Sequence, residues 1–276
     1  MRKLLSANFS RLFRDKIFWA CMGIMVLYAI CFLTNQYFLL IRYNITDPFV
    51  DKYYFNIALS IGGFCAIFSS LFLGTEYSDG TIRNKIIVGH TRTNIYVSNL
   101  VLTFVATLLM LLAWFVGAVV GIPTLGIWKM SAAGFLLYLL IAVLFVASFS
   151  AIFTFVNMLS SNKAATVVLC VLLFLGLLLL GSYLDNRLEA SEMISGYSFT
   201  AEGVLQMGDP EPNPRYVGGV IRAFYEFFYD FLPTGQGLQM IYLKIAHPIR
   251  MMISSVVITV VVSFGGIILF NRKNIK

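Results

Sequence analysis

The 276 residues are 59% hydrophobic and only 12% charged, with a mean hydropathy of +0.84 and a formal net charge of +7. A soluble domain averages about 45–50% apolar and about 25% charged residues, so a water-soluble fold of this length is excluded. The cysteines Cys21, Cys31, Cys65 and Cys170 all lie in apolar runs, with no Cys-x-x-Cys spacing and no Cys/His cluster; this argues against a disulfide framework or zinc site and for small buried hydrophobes.

Residues 1–16 predict an amphipathic helix. At 100° per residue, Leu4, Leu5, Phe9, Leu12 and Phe13 fall on one half, and Lys3, Ser6, Ser10, Arg11 and Arg14 on the other. Such a helix lies flat in the membrane interface with its basic half toward headgroups. Crossing a bilayer takes about 20 apolar residues. Six stretches qualify: 17–35, 55–73, 95–122, 132–159, 164–183 and 249–270. The first is too long for a signal-peptide core and lacks a cleavage site, so it is read as a retained span. Gly117-x-x-x-Gly121 in the third offers close helix–helix approach. The expected fold class is therefore all-α, a single polytopic membrane domain over 1–276 with an interfacial N-terminal helix and an external helical segment before the last span.

Basic residues set the expected direction. The N-terminus, the second and fourth connections and the tail hold twelve Lys/Arg and three acids, whereas the odd connections with Arg250 hold eight and ten. Positive-inside places both termini in the cytoplasm. The +7 is then explained by anionic lipid headgroups and a cytoplasmic partner, with no nucleic acid. The segment 215–246 is rich in aromatics but carries Arg222, Glu226, Asp230, Pro233 and Lys244, each costly at depth, so it is not counted as a seventh span.

The second connection is the most informative stretch. Glu76 sits where the second helix leaves the lipid, and Asp79-Gly80 is a turn signal. A short helix over 81–88 follows, with Ile82, Ile86 and Ile87 on one face and Arg83 and Lys85 on another. Gly89 ends it. The plain alternative is a structured loop.

Gly74-x-Glu76-Tyr77-x-x-Gly80-Thr81-Ile82-Arg83, then Thr91-Arg92, between the second and third of six spans, resembles the type-2 ABC exporter permeases, as does Leu232-Pro233-Thr234-Gly235-Gln236. The resemblance covers nearly the whole chain. It implies that residues 81–92 form a coupling helix docking on a separate ATPase subunit. Glu76, Gly80, Thr81 and Arg83 match the signature, Lys85 and Arg92 face outward, and Glu76 pairs with Arg83 or Arg92. The loop 157–163, with Asn157 and Lys163, would be the second contact. ATP and magnesium would sit on the partner ATPase, with no cofactor on this chain, and a second permease subunit, identical or related, would complete the path. A bacterial plasma membrane is implied.

The segment 184–248 is long for a connector. Its first half is acidic, with 209–214 irregular and partly extended. In its second half Arg222, Glu226 and Asp230 share a helical face, a candidate external gate or exit, with Arg222–Glu226 a candidate pair. Equally, this is an interfacial helix without a gating role. Asn44-Ile45-Thr46 is a glycosylation sequon only in a secretory pathway. No span carries a charge at its centre, which argues against an ion-coupled transporter. No Gly-x-x-x-x-Gly-Lys-Ser/Thr, His-Glu-x-x-His or Gly-x-Ser-x-Gly occurs, and His90 and His247 fall on opposite sides, so no enzymatic role is expected of this chain. The expectation is an exporter subunit moving a hydrophobic or amphipathic substrate, an antimicrobial peptide being one candidate. The alternative is a non-transporting immunity or scaffold protein that binds a peptide at its outer segment.

Overall fold

The computed structural model describes residues 1–44, 50–123, 125, 128–199 and 205–274; Ile45 and Thr46 of the sequon lie outside them. In chain order the described elements are α1 (Arg2–Arg14), α2 (Lys16–Arg42), α3 (Asp51–Tyr54), α4 (Ile57–Ser78), α5 (Thr81–Ile87), α6 (Arg92–Ala118, continued by a 3₁₀ turn to Gly121), α7 (Ala132–Leu159) and α8 (Lys163–Leu188). Strands β1 (Met193–Phe199) and β2 (Leu205–Pro212) follow, then α9 (Gly219–Phe231), α10 (Pro233–Tyr242) and α11 (Pro248–Arg272). Six of these, α2, α4, α6, α7, α8 and α11, are long and apolar enough to span a bilayer. The chain is an all-α polytopic membrane protein.

The helix starts follow from local chemistry. Asp15, Thr91, Ser131 and Asn162 each stand before an apolar run and accept a hydrogen bond from a backbone N–H in the first turn of α2, α6, α7 and α8. These are the side chains that satisfy otherwise orphaned helix donors. α2 runs seven residues past the predicted 35, because Asn35 and Gln36 neither break a helix nor precede a Gly or Pro.

The main core lies among α2, α4, α6 and α7, around Phe68, Phe72, Trp114, Phe145 and Phe149. Trp114 donates its indole N–H to the Tyr54 carbonyl at 2.9 Å, and the Tyr54 hydroxyl donates to the Ala118 carbonyl at 2.9 Å. This pair fixes α3 against the end of α6. Gly117 does allow close approach: a Cβ there would sit 2.7 Å from the Val26 carbonyl of α2. α8 leaves most of its apolar surface exposed, as an all-round hydrophobic helix does when lipid surrounds it.

α1 and the C-terminal end of α11 meet at the start of α6, at what we call the terminal face. At the far face the segment before α11 departs from the predicted irregular and helical mixture. Residues 209–212 belong to a two-stranded antiparallel ribbon, with Met193 opposite Pro212 and a bulge between Ser195 and Tyr197. Pro210 and Pro212 are tolerated because each strand of a two-stranded sheet has an unpaired edge.

The Leu232-Pro233 step ends α9 and starts α10, and neither helix reaches spanning length. α10 re-enters the bundle among α4, α7 and α8, with Pro233–Met240 wholly buried. Thr234 donates to the Leu177 carbonyl at 2.6 Å. A Cβ at Gly237 would lie 2.9 Å from the Ala58 carbonyl, and one at Gly235 would collide with the Tyr229 carbonyl. Only glycine lets α10 seat this deeply. Gly237→Ala is therefore expected to lower stability by about 1–3 kcal/mol through overpacking. Gly176→Ala on α8, where a Cβ meets nothing, is expected to be neutral or slightly stabilising. SDS-titration unfolding in mixed micelles checks both.

Candidate functional site

The site is built from four elements that converge at the terminal face. α4 ends at Ser78, and Gly80 takes the left-handed conformation (φ 66°) that turns the chain into α5. A side chain at Gly80 would have space but would carry the steric cost of that conformation, about 1–2 kcal/mol. α5 then lies across the ends of the spans, with Thr81 at its first position.

Glu76, in the last turn of α4, is fully buried. Its Oε1 receives Arg11 Nη1 from α1 at 2.7 Å and Lys85 Nζ from α5 at 2.6 Å. Its Oε2 accepts from Asn99 Nδ2 of α6 at 3.0 Å. Arg11 further donates to the Phe72 carbonyl at 2.9 Å and to Thr75 Oγ1, and stacks over the Phe72 ring. Asn8 closes the network. It donates to Ser98 at 2.7 Å and Asn99 at 3.1 Å, and accepts from Lys85 at 3.0 Å. One carboxylate thus joins α1, α4, α5 and α6, with both oxygens occupied.

Beneath α5 lies a small separate apolar core of Leu4, Ile82, Ile95, Tyr96, Met158 and Phe270. The helix is held by ions on one flank and by packing below.

The expected pairing of Glu76 with Arg83 or Arg92 is corrected. Arg83 is exposed, and Lys85, expected outward, turns inward beside Ile82 and Ile86. Ile87, expected on the buried face, is 71% exposed. It follows Ile82 by five residues, which at 100° per residue rotates it about 140° away. The outer arc of α5 and its cap is Arg83, Asn84, Ile87 and Val88, the last 78% exposed.

Arg92 also turns inward. It donates to the carbonyls of Phe270 (3.2 Å), Asn271 (3.0 Å) and Lys273, capping α11. Lys273 in turn donates to Tyr77 Oη and the Met158 carbonyl, 4.2 Å from the Tyr77 ring centroid. Burial pushes its ammonium down to about 8.

The α7–α8 connection is shorter than predicted. Asn157 is buried within α7 and accepts from Cys170 at 3.4 Å, so it is no surface contact. Lys163 opens α8 with its stem packed on Gly74. The exposed turn is Ser161-Asn162.

At the far face, Arg222 Nε pairs with Glu226 at 3.0 Å and Nη2 reaches the Leu188 carbonyl. Asp230 separates from that surface pair and is buried. Its Oδ2 takes Nε (2.5 Å) and Nη2 of Arg250 on α11, and its Oδ1 takes Gln239 Nε2 at 2.7 Å. Gln236 bridges the Asp230 and Met251 carbonyls while accepting from Ser255 at 2.8 Å.

Sequence reasoning missed Asn8, Ser98, Asn99, Arg250, Gln236 and Gln239 as partners, and assigned Arg11 to the headgroups. The available signal was polar side chains, Ser98 and Asn99, opening an apolar run, and the stripe Leu4–Asn8–Leu12 at i, i+4, i+8. That stripe is the buried face of α1, and Phe13, expected with the apolar half, is exposed.

Compared with models of known protein families and with curated proteins, the chain matches none.

Breaking a buried ion pair costs about 3–5 kcal/mol because the remaining charge is stranded. Glu76→Gln, which strands Lys85, is expected to destabilise toward the lower end of that range, since Arg11 keeps partial solvent contact. Gly80→Ala is expected to cost about 1 kcal/mol and Gly80→Asn less, because Asn tolerates the left-handed region. Thermal melts of the purified protein in one detergent rank all three.

Proposed function

We propose that the chain is the transmembrane permease subunit of an ATP-binding cassette exporter of the type-2 family. Both termini would lie in the cytoplasm of a bacterium, with the terminal face meeting an ATPase subunit. The observation that carries this reading is the division of α5. Its inner side is fixed to α1, α4 and α6 through Glu76, and its outer arc offers Arg83, Asn84, Ile87 and Val88.

A seven-residue helix has little stability of its own. Held by a buried carboxylate and a separate core, it moves with the span ends rather than yielding locally. That is what a force-transmitting contact requires. Two aliphatic side chains exposed outside the spans supply apolar area for a soluble partner, and Arg83 supplies a cation for its acidic groups. ATP and magnesium would bind the partner. Two permease subunits would form the path, and closure of the ATPase pair would push α5 and shift the path between inward- and outward-facing states.

The interior lacks charges at mid-span, its buried polar groups there being hydroxyls such as Thr103, Thr107 and Ser148, which suits a hydrophobic or amphipathic substrate. At the opposite end α9, α10 and the Asp230–Arg250 pair would shape the exit.

The experiment is co-purification from the native membrane. The expected companion is a soluble subunit with a phosphate-binding Gly-x-x-x-x-Gly-Lys-Ser/Thr loop. Ile87→Glu with Val88→Glu is expected to reduce the amount recovered by roughly tenfold or more, since each buried aliphatic contributes about 1.5–3 kcal/mol. The melting temperature of the permease itself should not change. Gly80→Pro and Glu76→Ala are expected to uncouple ATP hydrolysis from efflux. A chain that purifies without any nucleotide-binding partner, or a double variant that retains it undiminished, overturns the reading.

A further inference from the structure

A groove of about 650 Å³ runs between α9 and the start of α11 at the far face. This volume is within the range of small-molecule sites. Phe227 and Phe231 form one wall, and Ile249, Ile253 and Val257 form the other. The last three are spaced i, i+4, i+8, so the wall extends about 12 Å along the span axis. It opens outward from the bundle, with Ile253 58% exposed.

Polarity is graded along this length. His247 and Arg250 stand at the mouth, where α11 begins, Ser254 is one turn further, and the rest is hydrocarbon. No carboxylate lines the groove among the described residues; Asp230 lies behind Arg250, buried. The ion pair engages only the Nε and Nη2 edge of the guanidinium. Arg has five N–H donors, and a third of the side chain stays exposed, so donors remain for a second anionic group.

We propose that this groove is a binding site for an anionic phospholipid, with one acyl chain along Ile249–Ile253–Val257 and the phosphate at Arg250 and His247. Three features specify that occupant. The groove belongs to a membrane-spanning helix and runs parallel to it. Its charged end is at the end of the span, and its apolar end points toward the bilayer centre, which is the polarity order of a lipid. Its mouth offers the guanidinium donors of Arg250 that Asp230 leaves free, beside the exposed His247 ring, which favours a headgroup whose phosphate is not already compensated by an ammonium of its own. An Arg–phosphate pair is the stronger, charge-assisted kind of hydrogen bond.

Native mass spectrometry of the full chain, from detergent micelles doped with phosphatidylglycerol or phosphatidylcholine, tests the site. Phosphatidylglycerol adducts are expected to exceed phosphatidylcholine adducts about threefold to tenfold, because the choline ammonium compensates the phosphate that the free guanidinium donors would otherwise hold. Ile253→Trp fills the groove and should abolish the excess. His247→Ala and Arg250→Lys, the latter keeping a cation for Asp230, should each reduce it severalfold. The exposure of Ile253 and His247 makes their variants fold-neutral, and an unchanged melting temperature verifies this. Equal retention of the two lipids, or an excess that survives Ile253→Trp, overturns the proposal. So does efficient disulfide dimerisation of Ile253→Cys in native membranes, which would assign the groove to a second copy of the chain.

Discussion

The terminal face depends on one buried negative charge. A carboxylate removed from water is expensive unless it is paired and its lone pairs are filled. Glu76 meets this condition only when α1, α5 and α6 are all in place, because Arg11, Lys85 and Asn99 come one from each. The alternatives, with any one element displaced, leave a charge or an amide unsatisfied in a nearly dry site. The interaction therefore specifies an arrangement more than it adds net stability. It joins four elements, α1, α4, α5 and α6, through three contacts.

The far face uses the same device. Asp230 is buried at the α9–α10 corner and is satisfied by Arg250 and Gln239, tying the re-entrant pair to the start of α11. In both places the ion pair stands at the end of a long span, Glu76 in the last turn of α4 and Arg250, the partner of Asp230, in the first turn of α11. In both it fixes a helix too short to be stable alone. Between the two faces the spans are held by apolar packing, small-residue contacts and a few serine and threonine hydroxyls bonded back to their own helices. The ends are specified by buried charge, and the middle by side-chain packing.

That contrast bears on mechanism. Under the proposed reading as an exporter subunit, the chain would need a stiff point of contact and a part that can move. α5 offers the first, with its exposed arc of Arg83, Ile87 and Val88. The exposed apolar sides of α2, α8 and α11 would offer the second, since lipid would replace lipid at little cost if they moved. The groove beside α11 lies on this outer surface, where the span meets the buried Asp230 pair.

The sequence by itself determined the six spans, the turn at Gly80 and the short helix after it, while the capping roles of Asp15, Thr91, Ser131 and Asn162 are read from the structure. Each of the former is a local consequence of apolar run length or backbone sterics. The sequence also marked Glu76 as a charge where a span leaves the lipid, and placed Asp230 on an external helix face with Arg222 and Glu226. What it could not supply was their partners. Arg11 and Lys85 were chosen for Glu76 over the nearer Arg83 by how α1 and α5 rotate on the bundle. Arg250 was chosen for Asp230 by the fold-back of α10 onto the spans. Pairing of this kind is decided by three-dimensional proximity between elements up to 65 residues apart, and periodicity within one helix carries no information about it. Tertiary structure alone also decided that Ile87 and Val88 face outward, because which arc of an amphipathic helix is buried depends on the surface it is laid against.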